Sequence, residues 1–275
     1  MMSKLKKFAP SAAKKLYRLL RSRLPAVRNQ IEAQKFAAMA RDARVLEYLT
    51  LLFAKGSPEI SNGPFKGMSY IASAKGSQLL PKLIGCYEEP IHDWTEEIVK
   101  AGYQRIIDLG CAEGYYAVGL KLRSPRTEVF AFDTDSSAIE VAKLLALKNQ
   151  INVTFGGLCD HSLLESTIQG RTLVFCDIEG GELGLLDPEK VPSLRSADLL
   201  VEAHDCFVCG ITETLIERFH MSHRISIRVD YPFRYGSYQT PSDAIFTHND
   251  IKFMQDELRP PKMRWLYMKA VSYEG

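Results

Sequence analysis

The sequence predicts an α/β fold built on a mostly parallel sheet, and three observations predict it. From residue 105 to about 203, apolar runs of strand length alternate with stretches of helical periodicity. Each run closes on an acid or a histidine. A small-residue turn, Gly110-Cys-Ala-Glu-Gly114, joins the first run to the helix that follows.

The first run, residues 105–109, reads as a buried strand carrying Asp108 at its end. Gly110, Ala112 and Gly114 let the backbone turn tightly and leave room for a ligand, toward which the N–H groups of the next helix are expected to point. An alanine serves at 112 on the expectation that its φ is negative. The dinucleotide fingerprint G-x-G-x-x-G would need glycine where Tyr115 stands, so the G-x-A-x-G spacing here argues for a different cofactor.

A second strand over 127–132 ends in Asp133, about twenty residues past the loop, where an acid can accept both ribose hydroxyl hydrogens. A third, 151–155, leads through Gly156-Gly157 to Asp160, placed to accept from an adenine amino group. The fourth, 171–176, ends in Asp177 and the fifth, 198–203, in His204-Asp205. These ends share the edge on which open α/β sheets bind ligands. Crossover helices are expected over 115–122, 136–149 and 161–168. A helix over 212–219, a strand over 224–229 and a last strand over 265–271 complete the pattern. Upstream, 60–72 reads as a short hairpin and 94–101 as the helix that feeds the first strand. Tyr87 and Glu88 are read either as pocket wall or as solvated loop.

Charge divides the chain. Residues 1–57 carry 13 Lys/Arg against three acids, a balance of +10, and the rest carries −8. Helical spacing over 3–24 and 26–53 makes 1–57 a basic helical extension, either packed on the remainder or drawn to an anionic surface. Residues 58–275 form the expected catalytic domain, with an insertion at about 231–262 over the substrate pocket. The six cysteines lack disulfide-framework spacing, and Cys206-x-x-Cys209 reads as two plain thiols, so a reducing, cytoplasmic setting is expected. No apolar run has membrane-spanning length, and no secretory signal is read.

With Asp108, Gly110, Gly114, Asp133 and the motif Asp177-Ile-Glu-Gly-Gly-Glu182 in view, residues 85–271 resemble the class I S-adenosylmethionine (SAM)-dependent methyltransferases, and more narrowly the FkbM-type O-methyltransferases. The resemblance implies a Rossmann-like seven-stranded sheet with helices on both faces and an antiparallel last strand. It also implies a SAM site at Asp108, Gly110, Cys111, Ala112, Gly114, Asp133, Asp160 and Asp177. Methyl transfer to a hydroxyl of a small molecule or saccharide follows, with His204 as base beside Asp205 and without a metal. The alternative set for a magnesium-type ion is Asp177, Glu179, Glu182 and Asp205. Competing readings are N-methylation of a protein or small molecule, and a SAM-binding docking protein without catalysis. A nucleic-acid substrate is not expected of a net acidic domain.

Overall fold

The computed structural model describes residues 25–54, 56, 58–230, 238, 246–260 and 263–271. The chain divides into two compact units, 1–54 and 55–275. In the first unit, α1 (Pro25–Phe53) is one continuous helix with Phe36, Met39 and Leu46 largely exposed. The helix expected over 3–24 lies outside the described residues.

The second unit is built on a seven-stranded sheet in the order β3-β2-β1-β4-β5-β7-β6. Its strands are β1 (Arg105–Leu109), β2 (Glu128–Phe132), β3 (Thr154–Gly156), β4 (Thr172–Cys176), β5 (Asp198–Ala203), β6 (His223–Val229) and β7 (Arg264–Ala270). β7 runs antiparallel to both of its neighbours and the other six strands are parallel to one another. β4 and β5 are buried along their whole length, which is why they read as near-continuous apolar runs.

The helices of this unit are α2 (Leu79–Ile84), α3 (His92–Ala101), α4 (Tyr115–Arg123), α5 (Ser136–Lys148), α6 (His161–Thr167), α7 (Glu182–Leu185), α8 (Ile211–Phe219) and α9 (His248–Met254). Local chemistry starts several of them. Asp135 caps α5 by accepting from the Ser137 amide at 2.8 Å, and Asp160 caps α6 by accepting from Leu163 at 2.8 Å. Thr247 and Asp250 form a reciprocal capping box on α9.

Three expectations shift. The third strand begins later than residue 151, because Ile151 N–H still bonds to the Ala146 carbonyl at 3.2 Å and closes α5. The hairpin over 60–72 reduces to one bridge, Glu59 to Ser69, whose backbone is also held by the Asn149 amide. Helices α2 and α9 were not expected, although Thr247-x-x-Asp250 has the spacing of a capping box. Among the described residues no helix is long and apolar enough to cross a membrane.

Candidate functional site

Parallel register fixes which strand ends meet. Leu109 pairs with Phe132 on one side and with Cys176 on the other, so Gly110, Asp133 and Asp177 emerge together. Gly110 sits at φ +83°, and a Cβ there would lie 1.8 Å from the Asp177 carbonyl oxygen. Its glycine is required by the close passage of the backbone leaving β4. Gly114, at φ +90°, allows α4 to approach Ala142 of α5.

Ala112 departs from expectation: its φ is +47°, in the left-handed region. What holds it there is a hydrogen bond from its own N–H to Asp133 Oδ2 at 2.9 Å. The loop amides are also used differently than expected. Gly110 and Cys111 both donate to the Phe132 carbonyl, at 2.8 and 3.0 Å. The buried Cys111 is thus fixed by its backbone, and its thiol is pushed well up in pKa by burial.

Asp133 accepts from Ala112 and, through Oδ1, from Asp135 N–H at 2.8 Å, while staying partly exposed at the edge. Asp108 is buried, and its Oδ2 has no hydrogen-bond partner among the described residues. Burial first, and then the charge of Asp177, push its pKa up to about 8. Asp160 lies exposed at the end of the β3 connection as the α6 cap, with open space beside Gly157.

Inside the same loop, Glu113 is fully buried and fully satisfied. It pairs with Lys82, accepts from Tyr70 Oη at 2.8 Å and takes the Lys75 amide at 2.9 Å. The Lys82 ammonium also lies 4.6 Å from the Tyr87 ring centre. Burial would raise the Glu113 pKa, but the Lys82 charge and these hydrogen bonds outweigh it and hold the carboxyl below its usual range. Residues 58–84, outside the span of the resemblance, therefore brace the loop.

The second centre lies at the ends of β4 and β5. Cys176 pairs with Val201, so Asp177 comes level with Glu202, and strand alternation carries His204 to the same face as Glu202. His204 is 2% exposed. Its Nδ1 lies 2.7 Å from Glu182 Oε1, and its Nε2 lies 3.5 Å from Asp177 Oδ1 and 3.7 Å from Glu202 Oε2. Phe207 stacks on the ring at 5.6 Å. Burial pushes the His204 pKa down, yet the Glu182 hydrogen bond and the Asp177 and Glu182 charges prevail and raise it. Burial, opposed by His204, raises Asp177 to about 6.

Two of the expected groupings are not brought together here. Asp205 points away from the centre. It accepts from the amide and hydroxyl of Thr212 and from Arg264 at 3.1 Å, and so anchors the start of α8. The ion-ligand set Asp177, Glu179, Glu182 and Asp205 is likewise not assembled, since Glu179 is exposed at φ +55° and Glu182 occupies the far nitrogen of His204. The set that does converge is Asp177, Glu202 and His204, whose ligand atoms lie within 4.8 Å of one another.

Glu202 escaped the sequence reading although it is a lone acid within the apolar run Leu199-Leu-Val-Glu-Ala203. Arg259 was missed as well. Its side chain is 9% exposed, pairs with Glu88 and Glu202, lies 2.9 Å from Glu257, and sits over the Tyr87 ring at 5.1 Å. Glu88 in turn accepts from the Tyr116 hydroxyl. Residues 231–237, 239–245 and 261–262 of the expected insertion lie outside the described residues, whereas 246–260 bring Arg259 into the site. All six cysteines are thiols, including Cys206 and Cys209.

The strand order with a reversed β7 decides the architecture. The fold is that of the class I methyltransferases. Residues 95–168, well under half of the chain, match the family described as Methyltransferase small domain. Among solved structures, cofactor-bound Rv0187 from MTB is 12% identical over 66% of this chain and 81% of its own, with a TM-score of 0.46. An rRNA methylase from Streptococcus thermophilus is 14% identical over 66% and 96% of the two chains, with a TM-score of 0.43. The O-methyltransferase TomG from Streptomyces achromogenes, in complex with SAM, is 13% identical over 65% and 80%, with a TM-score of 0.42. No curated protein matches the sequence. Likenesses this distant assign no substrate.

Proposed function

We propose that the chain is a SAM-dependent methyltransferase that acts on a hydroxyl of a small molecule or saccharide, as the FkbM-type resemblance implies. The observation that carries the cofactor reading is the buried Oδ2 of Asp108, without a hydrogen-bond partner among the described residues, next to Asp133 at one sheet edge. SAM brings a methyl group on a positively charged sulfur, an ammonium, a ribose diol and an adenine. Asp108 and Asp177 supply negative charge for the cationic end. Asp133 keeps its two backbone bonds and has lone pairs left for the ribose hydroxyls, while Asp160 and the open side of Gly157 face the adenine. Gly110, Cys111, Ala112 and Gly114 shape the loop between them.

Displacement at a methyl group depends mostly on holding the acceptor close and in line. A hydroxyl acceptor also needs help in losing its proton, and the cluster of Asp177, Glu202 and His204 suits that task better than it suits an amine. The Glu182 hydrogen bond and the Asp177 charge raise the His204 pKa, which disfavours His204 as a base acting alone. The acidic balance of residues 58–275 disfavours a polyanionic acceptor.

Transfer of a tritiated methyl group from SAM to a panel of saccharide, phenol and amine acceptors tests this reading. Label is expected on a hydroxyl. Label confined to amines would overturn the acceptor class, and SAM binding without transfer to any acceptor would favour a docking protein.

A further inference from the structure

We propose that Asp177, Glu202 and the Nε2 atom of His204 form a binding site for a divalent cation, a set of ligands that the sequence alone did not assemble. Backbone register creates the set: Asp177 and Glu202 are level across β4 and β5, and His204 lies two residues beyond Glu202 on the same face.

The decisive detail is the orientation of the imidazole. Glu182 takes the Nδ1 side at 2.7 Å, which leaves Nε2 aimed between two carboxylates. The ring is 2% exposed and Nε2 makes no hydrogen bond among the described residues, with Asp177 Oδ1 at 3.5 Å and Glu202 Oε2 at 3.7 Å. A charge-assisted N–H···O bond would bring such atoms to about 2.7–2.9 Å, so a proton alone does not explain the spacing. Ligands about 2.0–2.2 Å from a tetrahedral ion stand about 3.3–3.6 Å apart; the two distances from Nε2, 3.5 and 3.7 Å, are close to that, and all three ligand atoms lie within 4.8 Å of one another.

The surroundings have the character of outer-shell support. A carboxylate on the distal nitrogen fixes the tautomer that presents a lone pair at Nε2, as with many metal-ligating histidines. Arg259 holds the other oxygen of Glu202 and so aims Oε2 at the gap. Asp177 remains partly exposed, leaving the open side of the set facing the edge where an acceptor would enter. One imidazole with two carboxylates suits manganese, iron(II) or zinc. This inference rests on the methyltransferase reading for its purpose, since a bound cation would orient the acceptor's oxygen and lower its pKa. Its existence can be tested without that reading.

The test is a titration of the purified full-length chain with manganese(II) chloride, following the electron paramagnetic resonance signal of the unbound ion. The expected result is one ion per chain, with affinity reduced at least tenfold in His204→Asn and Glu202→Gln and about 10–100-fold in Glu182→Gln. Glu140→Gln, on the exposed face of α5, should bind as the unaltered chain does. Thermal unfolding of each variant checks that it is folded; if the variants do not fold, the titration of the unaltered chain decides. No binding up to about 1 mM manganese, the weak end of biological cation sites, overturns the proposal, as does unchanged affinity in a folded His204→Asn variant. Calorimetry with SAM is run in parallel. SAM binding without manganese binding removes the cation site and leaves the methyltransferase reading standing, whereas the reverse outcome removes the latter.

Discussion

Glu113 and Glu202 are both glutamates, both almost wholly buried and both at the ligand edge of the sheet, yet their surroundings differ in kind. Glu113 has a lysine, a tyrosine hydroxyl and a backbone amide, and its pKa is held down. Glu202 shares one arginine with other acids and faces Asp177 and His204, and burial holds its pKa far above the usual value despite Arg259. A buried carboxylate that has all its partners is a strut. A buried carboxylate crowded by others makes sense where something further is to be bound, and the contrast separates the scaffold of this edge from its chemistry.

The largest effect is expected at the strut. Lys82→Ala leaves Glu113 as an uncompensated buried charge, and such a break typically costs about 3–5 kcal/mol, measurable by urea unfolding at pH 7. The sign of the pH dependence follows from the lowered pKa of Glu113. Its contribution is complete above the ordinary glutamate value of 4.5 and is lost as pH falls through the lower value in the folded protein. Lys82→Ala should flatten that acid limb. A variant as stable as the parent would remove the distinction between strut and site.

A smaller effect is expected at Ala112. The left-handed conformation costs an L-residue roughly 1–2 kcal/mol, but glycine also gains freedom in the unfolded chain, so Ala112→Gly should stabilise by about 0.5 kcal/mol. Thermal unfolding measures it. A marked loss of stability would mean that the alanine methyl group packs against something essential.

The same contrast explains what the sequence could convey. Strand ends were legible because apolar runs stop at acids, and register then brings Asp108, Asp133 and Asp177 to one edge. Asp205 adjoins His204 in sequence but not in the cluster, because neighbours at a strand end face opposite ways. Glu202 was passed over as a member of a buried strand. Lys82 and Glu113 are 31 residues apart, and Arg259 reaches Glu88 across 171, so no local spacing could announce either pair. The φ of Ala112 is set by a bond to Asp133, 21 residues away, and not by the turn's own sequence.

The central claim is that the crowded acids serve a cationic cofactor, and Asp108 tests it most directly. Its pKa of about 8 in the folded chain lies above the ordinary 3.8, so without cofactor its contribution to stability declines as pH rises between those values. Asp108→Asn removes that decline and should be at least as stable as the parent at pH 8. Hydrogen bonds to charged groups are worth about 1.5–3 kcal/mol, so the same variant should bind SAM about 10–100-fold more weakly. Calorimetric titration of both proteins with SAM at pH 8 is the measurement. Clear binding by the parent and weakened binding by a fully folded Asp108→Asn is the predicted result; no binding by the parent, or equal affinity in the two, would contradict it.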